Sequence, residues 1–180
     1  MIIRRRGHIL LPMVTWQWEW LFGEVTNEEM NLAQYGQVVC EAWFDLPRLY
    51  RHVELGAFVV IPNHVYGIII LNDDGRGGSR LSGGDKLPGG RIVGNAPSPD
   101  QKTRPYAPIK RHGLTEIVRA FKSFSAGRIN VLHHAEGMPV WQRNYYEHII
   151  RDEREKDKIW RYIESNPCFW ADDHENPAHV

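Results

Sequence analysis

The run Gly56-Ala57-Phe58-Val59-Val60-Ile61-Pro62-Asn63-His64-Val65-Tyr66-Gly67-Ile68-Ile69-Ile70-Leu71 decides the fold. Two short, apolar, β-branched stretches, 56–61 and 64–71, flank Pro62 and Asn63, which predicts a tight β-hairpin between two well-buried strands. Residues 55–71 are also the most apolar part of the chain. Pro62, Asn63 and His64 interrupt them, and they fall short of the roughly 18 uninterrupted apolar residues that a membrane span needs. The stretch therefore reads as a buried strand pair, with no membrane partner expected.

Outward from this hairpin, residues 7–20 are apolar and aromatic and read as a strand, and 23–27 are turn-like. Residues 29–51 carry Leu32, Val39, Ala42, Trp43, Leu46 and Leu49 at helical intervals. On the other side, residues 73–113 hold nine glycines and five prolines in 41 residues, the composition of a loop or insertion. Residues 114–134 repeat apolar positions at helical spacing (Leu114, Ile117, Val118, Phe121, Phe124, Leu132), with Thr115 placed to cap the start. Residues 140–151 are aromatic and β-branched, which predicts a strand. A charged helix is expected over 152–165, ended by Asn166-Pro167, and an acidic tail from Ala171 is expected to fray. The whole is a single domain over 1–180, in line with 180 residues and 20.9 kDa.

Charge and cysteine content remove several classes. Lys plus Arg (22) balance Asp plus Glu (22), so a polyanion partner must be argued from where the charges sit. Between Gln101 and Arg128, Lys102, Arg104, Lys110, Arg111, Arg119, Lys122 and Arg128 face one acid, Glu116, a local net of +6. On the 114–134 helix, Arg119 and Lys122 lie opposite the Phe121/Phe124 stripe and could follow phosphates, although a charge run is more often a solvated face. Cys40 and Cys168 form no Cys-x-x-Cys spacing, so neither a disulfide framework nor a thiolate zinc site is expected. The arginines near the start are not followed by a long apolar run with a cleavage site, and a cytoplasmic location is the expectation.

Two weak pairs could carry chemistry. His64 and Tyr66 project to one side of a strand, and Tyr162 and Asn166 to one side of a helix end. A histidine is a metal ligand, a tyrosine can be a covalent nucleophile, and an Asn carbonyl can complete the shell of a hard cation. Spacing alone equally allows a hydrogen-bonded structural His64, a core-packed Tyr162 and a helix-capping Asn166.

Four blocks shift that balance: Val60-Ile61-Pro62-Asn63-His64-Val65-Tyr66-Gly67-Ile68-Ile69, Ile117-Val118-Arg119-Ala120-Phe121-Lys122-Ser123-Phe124, Trp141-Gln142-Arg143-Asn144-Tyr145-Tyr146-Glu147-His148-Ile149-Ile150-Arg151 and Tyr162-Ile163-Glu164-Ser165-Asn166-Pro167. In this order and spacing the chain resembles the IS200-like single-tyrosine transposases, in particular the REP-associated tyrosine transposase branch of the HUH single-strand DNA nucleases. The resemblance covers roughly residues 7–177.

It implies an α+β fold with a ferredoxin-like core, an antiparallel sheet backed by helices. The implied activity is a transposase-like endonuclease and strand transferase on single-stranded or hairpin DNA, through a 5′-phosphotyrosine and with Mg²⁺ or Mn²⁺. By the same resemblance Tyr162 is the nucleophile, and His64 and Asn166 are metal ligands. Arg119, Lys122, Arg143, Arg151 and His148 are the DNA-contact candidates. Tyr145 and Tyr146 are rival nucleophiles on sequence grounds. The departure is Tyr66, where the family pattern has a second histidine. A neutral phenol is a poor ligand for a divalent ion, so the competing expectation is an inactive relative that only binds DNA. Monomer and homodimer are equally compatible with the sequence.

Overall fold

The computed structural model describes residues 7–72, 113–172 and 176. Most of the Gly/Pro-rich stretch expected as a loop, residues 73–112, lies outside the described residues, as do Lys102, Arg104, Lys110 and Arg111.

The described chain runs β1 (Gly7–Val14), a 3₁₀ turn (Trp16–Trp18), β2 (Gly23–Thr26), β3 (Glu29–Leu32), α1 (Gln34–Phe44), α2 (Leu46–Leu49), β4 (Val53–Ile61) and β5 (His64–Leu71). It continues with α3 (Leu114–His133), β6 (His148–Ile150), α4 (Glu153–Phe169) and a closing 3₁₀ turn (Trp170–Asp172). The main sheet has the order β4-β5-β1-β6, antiparallel throughout, and β2-β3 is a separate ribbon. The architecture is therefore α+β, an antiparallel sheet packed against helices.

Strand alternation divides the sheet into two faces. Ile9, Leu11, Met13, Val65 and Ile69 pack with Val39, Ala42 and Trp43 of α1 and Ile117, Val118 and Phe121 of α3. Ile68, Tyr66 and Ile70 of β5, with Ala57, Val59, Leu10 and Ile150, turn to the opposite face and meet Ile159, Trp160 and Ile163 of α4. Gly67 lets Trp43 lie against β5: a Cβ there would stand 2.4 Å from the indole. The same indole stacks on Phe58, ring centroids 4.7 Å apart and planes 9° apart.

The β4–β5 hairpin stands as the sequence predicts, with Pro62 and Asn63 as its turn. Elsewhere the boundaries move for local reasons. Of the turn expected at 23–27, Gly23–Thr26 is a strand and only Asn27 is turn, and the helix expected from Glu29 starts at Gln34, because Asn27 and Glu28 both take left-handed backbone (φ 54° and 65°) and close the two-residue β2–β3 turn. Thr115 does not cap α3. Gly113 holds the cap position, and the Thr115 hydroxyl lies 3.2 Å from that of Tyr145.

The strand expected over 140–151 survives only as β6 and a single bridge from Trp141 to Thr15. Pro12 explains the break. On this side of β1, the Val14 carbonyl accepts from the Gln142 amide (3.0 Å) and the Trp16 amide donates to the Val140 carbonyl (2.9 Å). At Pro12, the next position on the same side, the chain has no N–H to give, and β6 pairs only with His8, Ile9 and Leu10. The segment between leaves the sheet, and its carbonyls at Gln142 and Asn144 accept instead from Lys122 Nζ at 2.9 and 2.8 Å.

α4 runs through Pro167 to Phe169 instead of ending at Asn166. The extra turn is held from both sides of the proline: Ile163 and Asn166 are buried before it and Trp170 after it. The buried Asn176 side chain also donates to the Trp170 carbonyl at 3.0 Å, so that residue of the tail expected to fray is anchored.

Candidate nuclease site

β5 and α4 build the site between them. The strand turns His64 and Tyr66 toward α4, and the helix places Tyr162, Asn166 and Trp170 on one stripe, four residues apart. The Tyr162 hydroxyl lies 3.4 Å from that of Tyr66, their rings meeting edge-on at 5.4 Å. One strand step away the Tyr66 ring meets His64 at 4.9 Å, and His64 reaches Trp170 at 5.9 Å. The helix stripe thus runs along the strand from Tyr66 to His64, with Asn166 midway.

Burial divides these groups by chemistry. Tyr162 is 43% exposed, so its hydroxyl is open to solvent, whereas His64 and Asn166 are 2% and 1% exposed. His64 Nδ1 lies 2.7 Å from Asn63 Oδ1, an acceptor, so Nδ1 carries the hydrogen and Nε2 presents its lone pair. Of the two ring nitrogens, Nε2 is the one that could take a metal ion. Asn166 Oδ1 is buried with no hydrogen-bond partner among the described residues, and leaving such an acceptor unmet costs about 1–3 kcal/mol. Asn166 is therefore a mid-helix side chain with an unmet oxygen, not a cap. Among the described residues no group of three or more His, Cys, Asp or Glu could hold a metal ion.

α4 is held in place at its start. Asp152 accepts from the Glu155 amide at 2.9 Å, and Glu155 accepts from the Arg151 amide (2.7 Å) and from His148 Nε2 (2.7 Å). This is a relative of the capping box in which Glu155 reaches the amide one residue before the N-cap, and it also ties the helix to β6. The Arg151 amide and His148 hold the Glu155 carboxyl below the usual carboxylate range. His148 thus serves as a tether for the helix that carries Tyr162.

The DNA-contact candidates fall into two groups. Arg119, Lys122 and Arg143 line one cavity of about 420 Å³ between α3 and residues 138–145, and Arg151 and His148 stand at the β6–α4 junction. Arg119, Arg143 and Arg151 are exposed. Lys122 is turned inward onto two backbone carbonyls, and burial pushes its amine down to about 8. Arg128 pairs with Glu41 (3.7 Å) and Asp45 (3.5 Å), away from this cavity. Of the rival tyrosines, Tyr145 is half-buried beside Thr115 and Lys122, and Tyr146 is exposed. Sequence reasoning missed Asn63, Glu155 and Trp170. The Asp152-x-x-Glu155 spacing signals a capping box, whereas nothing local marks the other two.

An uncharacterized protein of Haemophilus influenzae (strain ATCC 51907 / DSM 11121 / KW20 / Rd) is 34% identical over 174 residues, covering 94% of this chain and 85% of that protein. Among solved structures, a REP-associated tyrosine transposase bound to a REP hairpin superposes with a TM-score of 0.50 at 16% identity, over 93% of this chain and 71% of the other. At that identity the likeness is one of fold. No family model matches the chain.

Proposed function

Since this chain belongs to the same protein family as the Haemophilus influenzae relative and shares its fold with a REP-associated tyrosine transposase, we propose that it is a single-strand DNA endonuclease and strand transferase acting on hairpin DNA. The observation that carries this reading is the half-exposed Tyr162 hydroxyl standing one helical turn from the buried Asn166 carbonyl, which has no partner among the described residues, on a helix stripe whose Tyr162 meets Tyr66 and whose following Trp170 meets His64. We take the core to be ferredoxin-like: β1, β4, β5 and β6 with α1 and α3 follow a β-α-β-β-α-β order, arranged as two interleaved split units.

His64 Nε2 and Asn166 Oδ1 suit a divalent cation, one nitrogen and one hard oxygen, with water and phosphate oxygens to complete the shell. Mn²⁺, which accepts nitrogen more readily than Mg²⁺, fits this pair better. When bound, the ion would polarise the scissile phosphate and offset the charge that grows on it.

The protein's own groups do the rest. Tyr162 Oη attacks phosphorus in line and the bond to the 3′-oxygen breaks, leaving a 3′-hydroxyl and a 5′-phosphotyrosine. The attacking phenol loses its proton to water and the departing 3′-oxygen takes one up to become the 3′-hydroxyl, while Tyr66 Oη, 3.4 Å away, accepts a hydrogen bond from Tyr162 Oη and orients it. A second DNA 3′-hydroxyl then attacks the phosphotyrosine, the strands are rejoined and Tyr162 is restored, with no outside energy source. Arg119, Arg143 and Arg151 are the exposed cations suited to the DNA backbone.

A second reading has one observation in its favour. Tyr66 occupies the position where a second imidazole would complete the cation site, and its hydroxyl faces Tyr162. On this reading the chain binds hairpin DNA without cutting it. Incubating the protein with single-stranded hairpin oligonucleotides and Mn²⁺, then running a denaturing gel, separates the two. A covalent adduct that Tyr162→Phe abolishes supports the nuclease, and DNA retention without adduct supports the binding module.

A further inference from the structure

The loop that follows β1 is fastened to the hairpin turn that carries His64. At its start the Thr15 amide and hydroxyl both donate to the Asn63 carbonyl (2.9 Å each), and at its end the Phe22 amide donates to the Pro62 carbonyl (3.1 Å). Thr15 also reaches the Glu19 carbonyl at 2.9 Å, and the loop is crossed by bonds from the Trp18 amide to Thr15 and from the Glu19 amide to Trp16. Asn63 therefore serves two structures at once, its side chain orienting His64 and its backbone fixing the loop.

This loop holds two successive non-glycine residues in left-handed backbone, Gln17 (φ 54°) and Trp18 (φ 61°). Such conformations are strained for residues that carry a Cβ, and they persist where the surroundings over-determine them. The strained turn leaves two large rings in solvent, with Trp18 37% and Trp20 50% exposed. Burying indole surface is the ordinary gain from folding, and here it is forgone. Trp20 meets Trp170 edge-on at 5.9 Å, and Trp170 in turn lies against His64 with ring centroids 5.9 Å apart, while Trp18 stands two residues before Trp20 on the same loop.

Resting on the nuclease reading, we infer that Trp18 and Trp20 form a stacking platform for unpaired nucleobases next to the scissile phosphate. Aromatic faces suit any base, whereas a duplex keeps its bases stacked on each other and offers none. The continuity Trp20–Trp170–His64 places the platform one residue's width from the proposed cation ligand. A strand lying across the site would set its phosphate at His64 and Asn166 and the adjoining base on the loop. Attachment through Asn63 fixes the distance between the two, so the platform selects which phosphate meets Tyr162.

The test uses the full-length protein and a fluorescein-labelled hairpin oligonucleotide with single-stranded flanks, measured by anisotropy. Abasic sites are placed one position at a time along the flanks. The platform predicts that one or two abasic positions beside the cut weaken binding about ten-fold, and that Trp20→Ala weakens the intact oligonucleotide by about as much. Trp20→Phe, which keeps an aromatic face, should retain most of the affinity, and at least one of the sensitive abasic positions, the one that Trp20 stacks on, should cost Trp20→Ala nothing further. A flat abasic profile with the parent protein overturns the platform while leaving the nuclease reading in place, and it does not depend on any variant folding. Failure of the parent to retain any single strand overturns the nuclease reading itself.

Discussion

The hydroxyl of Tyr162, on α4, lies 3.4 Å from the hydroxyl of Tyr66, on β5, so the proposed nucleophile faces the residue that the sequence resemblance sets in place of a second histidine. The Tyr66 ring packs edge-on against His64 on one side and Tyr162 on the other. A substitution at Tyr66 therefore acts on the proposed nucleophile and the proposed cation ligand together.

Tyr66→His supplies a second imidazole beside His64 and is expected to tighten Mn²⁺ binding by ten-fold or more, about 1.4 kcal/mol. Tyr66→Phe keeps the ring contacts and removes only the hydroxyl, and should leave Mn²⁺ affinity unchanged. Isothermal titration with Mn²⁺ across the three proteins decides this, and equal affinities would contradict a cation site at His64.

Asn166→Leu removes a buried carbonyl that has no partner among the described residues. Replacing an unmet polar group by an apolar one of similar size relieves its desolvation cost, so the metal-free variant should be as stable as the parent or more so. Its melting temperature should no longer rise with added Mn²⁺, as the parent's is expected to. A large loss of stability without metal would show that Asn166 Oδ1 is satisfied within the protein.

Lys122 gives a pH signature. Burial lowers its amine from 10.5 to about 8, so below pH 8 both folded and unfolded chains carry the proton and the folded chain bears the full cost of holding a half-buried charge. Between about pH 8 and 10.5 the unfolded chain binds more protons, and this contribution to stability rises with pH. Urea denaturation of the parent and of Lys122→Met should show this slope only in the parent. Lys122→Met should also loosen residues 142–144, whose carbonyls lose their donor.

At the start of α4, Asp152→Ala removes the cap on the Glu155 amide and should cost about 1 kcal/mol. The Glu155 carboxyl is held below its ordinary range, so its contribution is present above the unfolded value of 4.5 and lost as pH falls through the folded one. Glu155→Gln should accordingly flatten the acid limb of the stability curve. Thermal melts between pH 3 and 7 check both.

The fold was readable where one local rule decided the conformation. The 56–71 hairpin announces itself by two β-branched runs about a Pro-Asn turn, and α3 by unbroken helical spacing. Reading failed where a distant residue decided. Pro12 breaks the pairing of residues 140–151 by lacking a donor on a neighbouring strand, which the aromatic, β-branched composition of those residues does not reveal. The Asn27-Glu28 turn hides because glutamate seldom takes left-handed backbone. Pro167 reads as a helix terminator by local propensity, yet packing of Trp170 carries the helix past it. In the site, strand and helix periodicity placed His64 with Tyr66 and Tyr162 with Asn166. That Tyr66 and Tyr162 meet follows from the packing of α4 on that face of the sheet, and the tether through His148 and Glu155 appears only once β6 and α4 are joined.

The central claim is that Tyr162 becomes covalently joined to DNA. The most direct measurement is to incubate the protein with a hairpin oligonucleotide and Mn²⁺, digest with trypsin and nuclease, and locate the nucleotide by mass spectrometry. The account predicts a 5′-phosphonucleotide on the peptide containing Tyr162, lost in Tyr162→Phe. A nucleotide found on Tyr66, Tyr145 or Tyr146, or no modified peptide under conditions where the hairpin is bound, would contradict it.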